Sequence, residues 1–148
     1  MADKLFELKI ITPDRTFFAG DSTMVELNTT EGQVGIYADH APTAMVLEPG
    51  VAHIHDAEGN VRAAALHSGF IEIGKKSVMV LAEIAEWPDE IDINRANEAR
   101  IRAERRLSSH EGEIDVARAE YALKRALTRI ELKEIGRRRV GKECRSRW

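Results

Sequence analysis

A single cysteine, four prolines and an aromatic content of 5% exclude several kinds of protein at the outset. Cys144 has no partner, so there is no disulfide framework. It sits beside Arg145 and near Arg147 on a tail expected to fray, where nothing fixes a base beside the thiol to make it a nucleophile. No apolar run approaches the roughly 20 residues of a membrane-crossing helix, so direct membrane insertion is not expected. The opening Met1-Ala2-Asp3-Lys4-Leu5-Phe6 lacks the charged-then-apolar layout of a secretory signal. It also lacks the Arg- and Ser-rich character of a transit peptide, and a bacterial cytoplasm is the expected home. Gly-x-x-x-x-Gly-Lys, Gly-x-Ser-x-Gly and His-Glu-x-x-His are all missing. With them go a phosphate loop, a nucleophile elbow and a zinc-protease helix. No catalytic residue, no resident metal and no required cofactor are expected.

What is present is an ordinary well-charged chain of 148 residues, long enough for one domain or two small ones. Its net charge of −3 conceals an asymmetry. Residues 1–89 carry 6 Lys/Arg against 14 Asp/Glu, a net −8, whereas residues 90–148 carry 16 against 11, a net +5. Halves of opposite sign point to two domains with different work, the basic one suited to an anionic partner. Nucleic acid is a poor candidate for that partner, because glutamates interrupt the basic face and aromatics are scarce.

Periodicity divides the chain at nearly the same point. Phe6, Leu8 and Ile10 alternate with Glu7 and Lys9, and Val51–His55 and Val78–Leu81 are rich in strand formers. Turn signals fall between such runs at Thr12-Pro13-Asp14, Glu31-Gly32, Glu48-Pro49-Gly50, Glu58-Gly59-Asn60 and Gly74-Lys75-Lys76. Beyond Trp87-Pro88 the period becomes helical. Ala96, Ala99, Ala103 and Leu107 recur over 92–107, and Ala119, Leu123, Ala126, Leu127 and Ile130 over 114–135, with a break at 108–112. The expected fold is α+β: an N-terminal antiparallel β-sandwich over 1–87, then a C-terminal antiparallel α-helical hairpin over 88–148. The hairpin seam is alanine-rich. At about 25 cal/mol per Å² of buried apolar surface it holds less tightly than a leucine seam, so the hairpin should be able to open. The run Arg137–Lys142 reads as a solvated helix end.

His53-x-His55 places two imidazoles on one face of a strand, the start of a metal site in a small β-barrel enzyme. A third histidine and a carboxylate would have to converge on it, and nothing marks His67 or Glu58 for that task. Two ordinary surface histidines explain the pair more simply.

The order of motifs is more telling. Thr30-Glu31-Gly32-Gln33-Val34-Gly35-Ile36-Tyr37-Ala38-Asp39-His40-Ala41-Pro42 is followed by Leu47-Glu48-Pro49-Gly50, Ser68-Gly69-Phe70-Ile71-Glu72-Ile73 and Val78–Glu83. In order and spacing this resembles the epsilon subunits of bacterial F-type ATP synthases, from about Phe6 through Ile135. Three positions depart from that pattern. Ala38 stands where proline is usual, Ser68-Gly69 where a glycine pair is usual, and Gln33 where an acid is frequent. The resemblance implies a sandwich that grips the gamma subunit and stands on the c-ring, with Glu31, Gln33, Asp39 and His40 at the ring-facing end.

The hairpin carries a second signal. Asp92, in Ile91-Asp92-Ile93-Asn94-Arg95-Ala96, is placed to cap the first helix. Arg95 and Arg102 lie seven apart on that helix, and Arg125 and Arg129 four apart on the next. Guanidinium groups from two antiparallel helices can converge on a polyphosphate. They can equally pair with helix glutamates such as Glu98 and Glu120. The same Ile-Asp-x-x-Arg-Ala spelling returns at Ile114–Ala119, so the short motif by itself reports helix capping. The arrangement is similar to that of ATP-sensing epsilon subunits. That likeness implies regulatory ATP held by Arg95, Arg102, Arg125 and Arg129, with Asp92 near the adenine and Glu86 as a neighbouring polar contact. It further implies that the extended hairpin meets acidic segments of the beta subunits, among the alpha and beta subunits, through Arg105, Arg106, Lys124 and Lys133. ATP hydrolysis would then be blocked at the cytoplasmic face of the cell membrane.

Overall fold

The computed structural model of the chain describes residues 4–109 and 116–146, with side chains as far as 136. It divides into two compact units, Met1–Glu86 and Trp87–Trp148. The first contains seven strands: β1 (Phe6–Ile11), β2 (Thr16–Thr29), β3 (Gly32–Tyr37), β4 (Thr43–Leu47), β5 (Gly50–Asp56), β6 (Val61–Ile73) and β7 (Ser77–Glu86). Among its described residues the second holds a 3-10 turn (Pro88–Glu90) and the helices α1 (Ile93–Ser108) and α2 (Val116–Ser146).

The strands follow the alternation in the sequence. In β1, Phe6, Leu8 and Ile10 are buried while Glu7 and Lys9 are exposed; β7 repeats the pattern with Val78, Val80 and Ala82. Ladders run β1-β7-β6-β4-β2, and β1 pairs again with β2, so these five strands close on themselves. β3 extends from β2, and β5 bridges β2 and β6. Closure leaves few bare edges to recruit another chain. Leu8, Ile10, Val25, Leu27, Ile54, Leu66, Ile71 and Val80 form the best-buried part of the core.

One ladder is parallel: β1 and β7 run together from Glu7↔Ser77 to Ile11↔Leu81. Parallel neighbours need a long crossover. Here strands β2–β6 supply it, so the parallel pair arises with no helix between.

Gly69 is required by this packing. Its φ is 152°, and a Cβ there would lie 1.9 Å from the carbonyl oxygen of Leu81 on the neighbouring strand. The adjacent Ser68 faces no such demand. Its backbone is not in the positive-φ region, and its hydroxyl donates to Glu83 Oε2 at 2.6 Å.

In the second unit, α1 and α2 pack against each other along alanines seven residues apart: Ala96 and Ala103 on α1, Ala119 and Ala126 on α2, all buried. Leu127, which periodicity assigned to the seam, is 45% exposed; Thr128 and Leu132 are buried instead. Successive residues turn about 100° around a helix, so Leu127 rotates away from the side that Ala126 buries. Asp92 caps α1, its Oδ1 accepting from the backbone N–H groups of Asn94 at 3.0 Å and Arg95 at 3.3 Å. The expected second cap, Asp115, and the break at His110–Gly112 lie outside the described residues. So do the side chains of Arg137–Lys142 and Cys144.

Candidate functional site

The hairpin places its arginines by simple helical geometry. Arg95 and Arg102 each precede a buried seam alanine, Ala96 and Ala103. On α2, Arg125 precedes buried Ala126, and Arg129 follows Arg125 by four residues. A residue one step before the seam lies about 100° round from it, and one three steps after lies about 60° short of a full turn, on that same flank. Because the helices are antiparallel, the two flanks fall on one side of the seam. All four arginines therefore border the same side of the hairpin.

Their surroundings differ. Arg95 and Arg102 are exposed and make no ion pair among the described residues; the ion pair recorded on α1 is Arg100–Glu104 at 3.4 Å. Arg125 and Arg129 are half-buried, and Arg129 is engaged within the fold. The guanidinium carbon of Arg125 lies 5.6 Å from the ring centroid of Tyr121, one turn earlier on α2. The sequence reading did not use Tyr121; its four-residue spacing from Arg125 was the available signal.

The other basic candidates divide in the same way. Arg105 and Arg106 are exposed in the last turn of α1, where positive charge complements the carbonyl end of the helix. Lys124 is exposed and also engaged within the chain. Lys133 is half-buried, and its Nζ donates to the carbonyl of Pro88 at 2.9 Å, fastening the 3-10 turn to α2.

Two groups of candidates belong to the sandwich unit. Glu31 and Gln33 are exposed around the turn from β2 to β3, where Gly32 has a φ of 114° and Thr29 Oγ1 donates to its carbonyl at 2.7 Å. Asp39 and His40 follow β3 at its opposite end, so the expected single end does not form: the length of a strand separates them from Glu31 and Gln33. Asp39 accepts a hydrogen bond from Lys4 Nζ at 2.8 Å, and His40 Nδ1 donates to the carbonyl of Ala41 at 2.8 Å. The Lys4 hydrogen bond, then its charge, holds the Asp39 carboxyl below the usual range; the same contacts raise the Lys4 ammonium. A hollow of about 300 Å³ lies beside this end, lined by Lys4, Thr23, Met24, Tyr37, Ala38 and His55.

Glu86 ends β7, where its Oε1 lies 3.1 Å from Nε2 of buried His67. The sequence named Glu86 as a polar contact but gave no reason to join it to His67. That pairing bears on the metal reading. His53 and His55 do share a strand, with His55 Nε2 4.0 Å from Glu26 Oε1, but His67 is engaged with Glu86. Among the described residues no group of three or more His, Cys, Asp or Glu gathers to hold a metal ion.

Comparison with known proteins agrees with this architecture. Residues 5–88 match the family described as ATP synthase, Delta/Epsilon chain, beta-sandwich domain, and residues 89–134 the corresponding long alpha-helix domain. The ATP synthase epsilon chain of Clostridium novyi (strain NT) is 43% identical over 129 residues, covering 87% of this chain and 98% of that one. That of Shouchella clausii (strain KSM-K16) is 42% identical over 126 residues, 85% of this chain and 92% of its own. Among solved structures, a chain of the Euglena gracilis mitochondrial ATP synthase (OSCP/F1/c-ring) shares the fold with a TM-score of 0.75 at 21% identity, covering 89% of this chain and 81% of that one. A chain of the Tetrahymena thermophila mitochondrial ATP synthase central stalk and c-ring does so with a TM-score of 0.55 at 15% identity, covering 92% and 98%.

Proposed function

Because the chain belongs to the ATP synthase epsilon-chain family, non-catalytic stalk subunits of that complex, we propose that it couples rotation to ATP synthesis and restrains hydrolysis through an ATP-sensing hairpin. In this reading the sandwich grips gamma. The turn carrying Glu31 and Gln33 stands on the polar loops of the c-ring, at the cytoplasmic face of the membrane, while Asp39 and His40, beyond the other end of β3, are left out of that contact. No described helix is long and apolar enough to cross a membrane, so attachment would run through these partners.

What supports the ATP-sensing part is that helical spacing sets Arg95, Arg102, Arg125 and Arg129 along one flank of a two-helix seam. A polyphosphate bound there touches both helices and is lost when they part. ATP then favours the closed hairpin by its differential affinity for that state, and scarcity of ATP favours the open one. Opening frees Lys133 from Pro88, and with Arg105, Arg106 and Lys124 it offers positive charge to acidic segments of the beta subunits. The small alanine seam suits this reversible use, since it buries little surface to hold the hairpin closed once ATP is lost.

Calorimetric titration of the isolated full chain with ATP, beside an Arg95→Ala, Arg125→Ala double variant, tests the sensing role. Saturable binding that the double variant loses is the expected result. No heat and no change in melting temperature at millimolar ATP would remove ATP from the account.

A further inference from the structure

Resting on the ATP-sensing reading, we infer that Tyr121 is a positioning residue for the nucleotide: it stacks on Arg125 and holds that guanidinium ready for phosphate. The guanidinium carbon lies 5.6 Å from the ring centroid, within the range where a ring quadrupole attracts a cation, and both side chains are half-buried. A stacked guanidinium presents its planar face to the ring. Its N–H donors project from the edges, so an oxyanion can take a paired hydrogen bond while the stack persists. A carboxylate partner would occupy those same edges and cancel the charge. An aromatic partner does neither.

The stack also reduces what binding must fix. A free arginine loses much of its side-chain freedom when it grips a phosphate, whereas one already held on a ring loses less. Arg125 sits next to buried Ala126 and one turn from Tyr121, so both neighbours keep it on the arginine-bearing side of the seam. Arg95 and Arg102 are exposed and have no such support. Arg125 is therefore the preformed anchor of the set.

The test is a titration of the full chain with ATP and, separately, with inorganic tripolyphosphate. Wild type is compared with Tyr121→Leu, Tyr121→Phe, Arg125→Ala and the double variant Tyr121→Leu, Arg125→Ala. Leucine keeps a helix-forming apolar side chain, and a melting curve of each variant checks the fold. Tyr121→Leu should weaken both ligands by about two- to five-fold, the size of a partly exposed cation–π contact. Tyr121→Phe should bind as wild type does. Adding Tyr121→Leu to Arg125→Ala should change nothing further. Wild-type binding with an unchanged Tyr121→Leu, or a Tyr121→Leu loss that persists without Arg125, overturns the positioning role and leaves ATP sensing standing. A wild-type chain that binds neither ligand overturns both.

Discussion

Asp39 has a φ of 61°, in the left-handed region that aspartate enters more readily than most residues other than glycine. Its carboxylate accepts from Lys4, and this contact makes a pH prediction. The folded carboxyl binds its proton less tightly than the unfolded one, so the pair contributes to stability above the ordinary Asp pKa. That contribution is lost as pH falls through the depressed folded value. The raised Lys4 ammonium sets the other limit, its share being lost as pH rises through its folded value. A carboxyl-detected NMR titration should place the Asp39 midpoint below that of an exposed aspartate, and Lys4→Gln should move it back up. Gly69 offers a sharper test of packing. Gly69→Ala drives a methyl into the Leu81 carbonyl and should cost about 3 kcal/mol or more in denaturant melts. Ser68→Gly should cost less than about 1 kcal/mol, since only an exposed hydrogen bond and some chain entropy are at stake. The glycine itself was plain in the sequence, but the carbonyl that demands it was not, because it comes from a strand twelve residues away.

At the level of elements, the sequence read the strands and helices well wherever one face is buried and the other wet. β1, β7 and α1 show this, since their alternation or helical spacing directly reports solvent. Reading failed where burial depends on a neighbour's rotation. Leu127 looks like seam and is exposed, while Thr128 looks polar and is buried, its hydroxyl donating to the Lys124 carbonyl at 2.7 Å. The parallel β1–β7 ladder was equally invisible, because strand order is set by the closed sheet and not by any one strand. Two predictions belong here. Asp92→Ala removes the α1 cap and should lower stability by about 1 kcal/mol, whereas Asp92→Asn should retain most of it, as read from thermal melts. Ala126→Leu forces a larger side chain into a contact that is 1% exposed, and should destabilise the hairpin by about 1–3 kcal/mol, seen as a loss of helical circular dichroism at lower temperature.

For the whole molecule, the change of charge and of period near residue 89 was the strongest signal in the sequence; the two compact units are Met1–Glu86 and Trp87–Trp148. The assignment of the four arginines to ATP came from the family resemblance, whereas their sharing a flank could be read from helical spacing. Tyr121 beside Arg125 and His67 beside Glu86 could not, since each pairing needs side-chain positions that spacing alone does not give. The account makes the hairpin a brake on hydrolysis and the sandwich a stalk fitting that works without it. The direct measurement is ATP hydrolysis at low ATP by the complex assembled with the full chain, against the complex assembled with a chain ending at residue 91. Faster hydrolysis with the shortened chain, at equal assembly, is the predicted result. Equal rates would contradict the brake and leave the chain a stalk subunit whose hairpin has some other task.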